Sequence, residues 1–285
     1  MSDTLRVVTL NFWGTSKPLE ARLALATRQL KALAPDVVCL QEVRPLNGVV
    51  GRTTADVLAD ALGMRAHYEV ATAWDEGQEG VAILARDITE TRVLGLPEPR
   101  QMESRILLSA RVATAGGRIW VHTTHLHYRL DDGLAREAQV LAIDDAVRAC
   151  GRGNTDAPQI LCGDLNATSD HDEVRFLRGL TTLGGRRTHW QDAWLRLHRE
   201  PGPGDGPAEG VTWSSENAHT RPLRSLDLDR RIDYVMVTTR KKDGRGTVHD
   251  CRVVMTERDE RGDCASDHYG VLADVQVVAR DTVGE

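Results

Sequence analysis

The opening of the chain constrains the fold more than any other stretch. Leu5–Leu10 is a β-branched, apolar run that ends at Asn11 and reads as a short strand. Gly14 to Pro18 reads as a loop. From there Leu19, Leu23, Ala26, Leu30 and Leu33 recur at three- and four-residue spacing, which predicts a helix with one buried face. Pro35-Asp36 stops it. Val37–Leu40 is then a continuous apolar strand that delivers Gln41 and Glu42. Strand, helix, strand is the opening of an α/β unit.

The remainder alternates in the same way. A helix is expected from about Thr54 to Leu62, ended by Gly63, and a short strand at Val81–Leu84. Arg105 to Val112 and Arg118 to Thr124 read as paired strands about a tight turn at Gly116-Gly117, the second running into His125. Leu134 to Val147 reads as a helix, Asn154 to Pro158 as a loop, and Gln159–Cys162 as a strand ending in Gly163-Asp164-Leu165-Asn166. Ile232 to Thr239 and Val271 to Val278 are the last strands expected, followed by a polar, frayed tail from Arg280 to Glu285. Pro201 to Gly210 holds three Pro and four Gly and reads as an irregular surface loop. No solenoid-period repeat and no separating linker appears, so residues 1–285 are read as one domain.

A hydrophobic fraction of 41% allows a substantial core, and an aromatic fraction of 4% leaves Val, Leu, Ala and Ile to fill it. The five cysteines form no CxxC pair, which argues against a zinc ribbon or a disulfide framework; Cys39 and Cys162 lie in apolar runs as small core residues. Cys264 is expected in a loop and not as a nucleophile. No signal-peptide pattern, no membrane-length apolar run and no basic amphipathic helix stands out, so a cytoplasmic protein without stable membrane association is expected.

Several of these strands end in a polar residue. Asn11, Glu42, His125, Asp164 and Asn166 all follow apolar runs; Asp233 sits inside Arg-Arg-Ile-Asp-Tyr-Val-Met-Val; Asp267 and His268 precede the last strand. Ligands of α/β sheets bind beyond strand ends, and carboxylates, amides and imidazoles suit Mg²⁺ or Mn²⁺ with phosphate. Each residue alone has a plainer explanation, such as a turn, a cap or an ion pair. Coincidence at so many strand ends is harder to accept than a single site.

Leu-Asn-Phe-Trp, Gln-Glu-Val, Thr-His-Leu, Gly-Asp-Leu-Asn, Arg-Ile-Asp-Tyr and Ser-Asp-His occur in that order from residue 10 to residue 270. The ordered set resembles the motifs of the endonuclease/exonuclease/phosphatase superfamily. That resemblance implies a four-layered α/β sandwich, two packed mixed sheets flanked by helices, and a metal-dependent phosphoester hydrolase. By motif position it implies Glu42 as metal ligand, with Asn11 beside it touching the metal or phosphate and Asp267 joining the metal site or binding a second ion. It implies Asp164 accepting from or orienting the attacking water, and Asn166 donating to a phosphate oxygen. His268 would contact phosphate as the imidazolium, Asp233 would hold its ring, and His125 would add a further phosphate contact. Arg105 is either a phosphate clamp or a surface arginine. Trp213 either walls the substrate pocket or packs in the core.

The net charge of −6 and the lack of a Lys/Arg run interleaved with aromatics favour a small phosphorylated molecule or lipid headgroup over nucleic acid. A nuclease is the alternative. An inactive binding scaffold is disfavoured, because no motif has lost its reactive side chain. The loop His127–Gly133 is expected at the rim of the site.

Overall fold

The computed structural model describes residues 3–75, 77–100, 103–152, 157–198, 210–220 and 229–279. The expected loop at 201–209, the tail at 280–285 and most of the loop at 154–158 lie outside these. The described elements are β1 (Thr4–Asn11), α1 (Leu19–Leu33), β2 (Val37–Val43), α2 (Thr54–Leu62), β3 (Arg65–Trp74), β4 (Gly77–Ala85), β5 (Ile88–Gly95), β6 (Ile106–Thr114) and β7 (Gly117–His125). They continue with α3 (Gly133–Gly151), β8 (Ile160–Asp164), α4 (Asp172–Leu177), β9 (Trp190–Asp192), α5 (Ala193–Leu197), β10 (Asp233–Thr238), β11 (Val248–Val254) and β12 (Gly270–Gln276).

The strands form two six-stranded sheets, ordered β11-β12-β1-β2-β4-β3 and β5-β6-β7-β8-β10-β9. The central strands are buried on both faces, which is why their runs are continuously apolar. On β2, Val37 and Cys39 join the core between the sheets, whereas Val38 and Leu40 meet the layer of α1 and α2. On β8, Ile160 and Cys162 face the other sheet and Leu161 faces the layer of α3 and α4. Helix, sheet, sheet, helix is the four-layered sandwich expected.

Four strands were not expected from sequence: β3, β5, β9 and β11. They are the edges of the two sheets. The β6–β7 turn also differs by one residue. Thr114 pairs with Gly117, so Ala115 and Gly116 make the turn. Gly116 lies against the carbonyl of Val277, which a Cβ would approach to 2.1 Å. Among the described residues no helix is long and apolar enough to cross a membrane.

Two parallel pairs position the site. β1 and β2 are parallel and joined through α1; β7 and β8 are parallel and joined through α3. Their C-terminal ends therefore open at one end of the sandwich. β10 is antiparallel to β8, with Asp233 opposite Asp164, and β12 is antiparallel to β1, so both begin at that same end.

Candidate active site

Asp164 is the hub of the strand ends. Asn11 Nδ2 donates to Asp164 Oδ2 at 3.1 Å and to Glu42 Oε1 at 3.0 Å, tying the two sheets together. His125 Nε2 lies 3.6 Å and His268 Nε2 3.8 Å from the same Asp164 oxygen. His268 Nδ1 faces Asp233 Oδ2 at 2.9 Å. The Asn166 N–H donates to Asp164 Oδ1 at 2.9 Å, and Asn166 Nδ2 donates to the Leu126 carbonyl at 3.1 Å, leaving one amide hydrogen for the cleft.

Backbone geometry aims two of these side chains. Strict alternation would send Glu42 to the helix face with Val38 and Leu40. Instead the β2–β4 register shifts between Leu40 and Val43, and Glu42 takes φ +52°, which turns its carboxylate to the strand end. Asn166 sits at φ +49°, a conformation Asn tolerates better than most residues.

An open cleft of about 560 Å³ lies over this floor, and Glu42, His125, Asp164, Asn166, Asp267 and His268 line it. Asn11 and Asp233 stand behind them, buried. Arg105 is only 4% exposed, lines the cleft and pairs with Glu103 at 2.9 Å, while its buried Nε has no partner. It is therefore not a surface arginine. Trp213 is half-buried with its ring edge-on to His268, 5.1 Å between centroids, and forms a wall of the cleft. All ten candidates come together at one place.

Sequence reasoning missed Arg22, Arg44 and Glu79. Arg22 is fully buried under the site, donating to the carbonyls of Ala265, Ser16 and Phe12. Its spacing was a usable signal, because it falls on the buried stripe of α1 four residues before Ala26. Glu79 lies on β4 beside the Glu42 bulge, and Glu42, Glu79 and His125 offer ligand atoms within 4.8 Å of one another. Arg44 pairs with Glu79.

The charges divide the site in two. Around His268, burial opposes the charged ring, but Asp233, Asp164 and Asp267 outweigh it and hold the ring well above the usual imidazole range. Burial and Asp233 push Asp164 up to about 6. His125 is held well below the usual range by burial, with Arg105 and His268 adding to the effect, and so is neutral. On the other side, burial and then Asp267 and Glu79 push Glu42 up to about 8.

A divalent cation fits the second half better than the first. Asp164, Asp233 and His268 also converge within 4.8 Å, but that group already contains its own cation in the imidazolium. Glu42, Asp267 and Glu79 crowd hard oxygen donors together at a cost that a bound cation would reverse.

The model of the endonuclease/exonuclease/phosphatase family matches residues 8–268. Tyrosyl-DNA phosphodiesterase 2 of Xenopus laevis is 25% identical over 279 residues; the match covers 95% of this chain and 66% of that protein, just under two thirds of its length. The structure of D. rerio TDP2 complexed with single strand DNA product has a TM-score of 0.70 at 21% identity, covering 96% of this chain and 99% of that one. The endonuclease/exonuclease/phosphatase of Beutenbergia cavernae has a TM-score of 0.70 at 25% identity, covering 96% and 72%. These relatives overturn the preference for a small phosphorylated molecule over nucleic acid, since one is a DNA phosphodiesterase and another holds a DNA strand. The preference rested on net charge and on the lack of a basic run, and neither reports how single arginines such as Arg44, Arg105, Arg129 and Arg230 are set among the carboxylates of the cleft. Matched over nearly its whole length and folded as the four-layered sandwich, the chain belongs to the endonuclease/exonuclease/phosphatase family, whose members hydrolyse phosphate esters.

Proposed function

We propose that residues 1–285 act as one unit, a Mg²⁺- or Mn²⁺-dependent phosphodiesterase that cuts a phosphoester of single-stranded DNA, including an ester that joins DNA to a tyrosyl group. The observation that carries this reading is the row Asp233–His268–Asp164 set beside the crowded carboxylates of Glu42 and Asp267. The likeness to the Xenopus tyrosyl-DNA phosphodiesterase supports the substrate.

Glu42 and Asp267 would hold the cation, with Asn11 fixing Glu42 relative to Asp164. When bound, the cation supplies neutralisation of phosphate charge and a more acidic water. Asp164 accepts the proton of the attacking water or orients it. His268, held charged by Asp233, donates Nε2–H to a phosphate oxygen as negative charge builds there. Asp233 acts through His268 and is a positioning residue. Neutral His125 and the free amide hydrogen of Asn166 donate to the remaining phosphate oxygens. Arg105, lining the cleft beside Glu103, brings its guanidinium to the same group. Trp213 closes the wall against water.

The test is hydrolysis by purified protein with Mg²⁺ or Mn²⁺, with and without EDTA. The panel holds plasmid DNA, single-stranded DNA and RNA, and oligonucleotides carrying a tyrosyl phosphodiester. Glu42→Ala and His268→Ala run alongside. The expected result is cleavage of single-stranded or tyrosyl-linked DNA, lost with EDTA and reduced by about a thousandfold or more in both variants. Cleavage that survives EDTA, or folded protein inert on every DNA substrate, would overturn the reading.

A further inference from the structure

Arg44 has no role in the chemistry above, yet three elements fix it. Its side chain crosses Gly14, where a Cβ would come within 2.7 Å of Arg44 Cδ. One edge of the guanidinium pairs with Glu79, with Nε and Nη2 each 2.7 Å from Oε2. The guanidinium carbon stands 5.2 Å from the centre of the Trp74 ring. Trp74 ends β3, packs on Gly77 of β4 and is 46% exposed. Arg44 nevertheless keeps 37% of its side chain exposed and lines the cleft. Nη1 donates to nothing among the described residues.

Neutralising Glu79 requires only the Nε–Nη2 edge. The aromatic support and the open Nη1 edge are left over. A planar donor already held in place loses little freedom on meeting a phosphate, which makes it a good anchor. Its neighbours matter too. Glu42 and Asp267 lie deeper in the same cleft, so a phosphate at Arg44 would lie beside the one being cut and not replace it.

We infer that Arg44, seated on Trp74, binds the phosphate that flanks the scissile one in a single-stranded nucleic acid, and that the strand leaves the cleft over the β3–β4 hairpin. This rests on the nucleic-acid reading of the site. Trp74 acts through Arg44 and is a positioning residue.

Two substrates with the same scissile bond test it: a p-nitrophenyl phosphate ester of thymidine, and the same ester on an eight-nucleotide strand. Each is made with the ester at the 5′ and at the 3′ end, and the end that reacts is used. The ratio of kcat/KM, long over short, reads the flanking contacts alone, because a disturbance at Glu79 or Glu42 affects both substrates and cancels. In the wild type the ratio exceeds one. Arg44→Met keeps the stem over Gly14 and lowers the ratio about tenfold, and flattens the dependence of its logarithm on log salt by about 0.7. Arg44→Lys restores the slope. Trp74→Leu lowers the ratio less and keeps the slope. An unchanged ratio in Arg44→Met, or a wild-type ratio near one, overturns the inference while leaving the hydrolase standing. Protein inert on both substrates removes the proposed function itself, and this inference with it.

Discussion

Asn11 has no reactive atom, yet one of its nitrogens holds a carboxylate from each sheet. The same economy appears at Asp233, which touches His268 and nothing in the cleft. Asp233→Asn is expected to lower kcat by about 10² to 10⁴ with KM almost unchanged; a KM that rises as far as kcat falls would place Asp233 in substrate binding instead. His122 gives a prediction about stability. It is buried between Ser109 Oγ (2.7 Å) and Gln159 Oε1 (3.1 Å), which suits the neutral ring, and burial pushes it down to about 4 despite Gln159. Its folded value lies below the unfolded value of 6.5. Stability is therefore fully present above pH 6.5 and declines as pH falls towards 4, by on the order of 3 kcal/mol. Urea titrations between pH 7 and pH 4 check this against His122→Gln, which should lack that part of the slope. The ten candidate residues were legible because most of the polar side chains end or begin an apolar run. Arg44 was not, and Arg22 was signalled only by its place on the buried stripe of α1. A helical stripe is read by its apolar members, and Arg44 owes its place to a glycine thirty residues away in sequence.

Among the elements, the central strands were readable and the edges were not. β1, β2, β7, β8, β10 and β12 each carry a run of apolar residues because both faces are covered. β5, Ile-Thr-Glu-Thr-Arg-Val-Leu-Gly, is largely exposed, and its charges are those that keep an edge from pairing with another chain. A local pattern reader sees no period in it. The Glu42 bulge was equally invisible, since a register shift belongs to two strands at once. Gly163, in contrast, stands in a readable motif for a reason only the sheet reveals. It has φ +155°, and a Cβ there would meet the Thr124 carbonyl of β7 at 2.2 Å. Gly163→Ala is expected to force β7 and β8 apart and cost about 3 kcal/mol, measured as a lowered midpoint in chemical unfolding, with activity falling through the displaced Asp164. Wild-type stability in this variant would show that the strands have room to yield.

At the scale of the molecule, the site belongs to neither sheet. Gln41 of β2 donates to Thr123 of β7 at 2.9 Å just beneath it, and Asn11 spans the gap above. Activity and global structure should therefore disappear together in urea; activity lost well before the fold would mean that the strand ends loosen independently. Cation binding should oppose this unfolding. Mg²⁺ or Mn²⁺ at about a hundred times its Kd stabilises by about 2.7 kcal/mol, seen as a raised Tm in the wild type and abolished in Glu42→Ala. An equal rise in the variant would place the ion elsewhere.

The wiring of the two sheets has a further meaning. β5-β6-β7-α3-β8-α4-β9-α5-β10 follows one plan; β11-β12-β1-α1-β2-α2-β3-β4 follows the same plan without the short helix before the last strand, its first two strands supplied from the far side of the sequence. Under that correspondence β2 matches β8, and by register Gln41, opposite Asn11 of β1, matches Asp164, opposite His125 of β7, with Glu42 one residue further on at the bulge. The molecule is a doubled unit whose copies carry different polar side chains at equivalent strand ends. Because one copy joins β1 and β2 to β11 and β12, Asp267 and His268 meet Asn11 and Glu42 only when segments more than two hundred residues apart come together, so neither half of the fold can assemble the cleft alone.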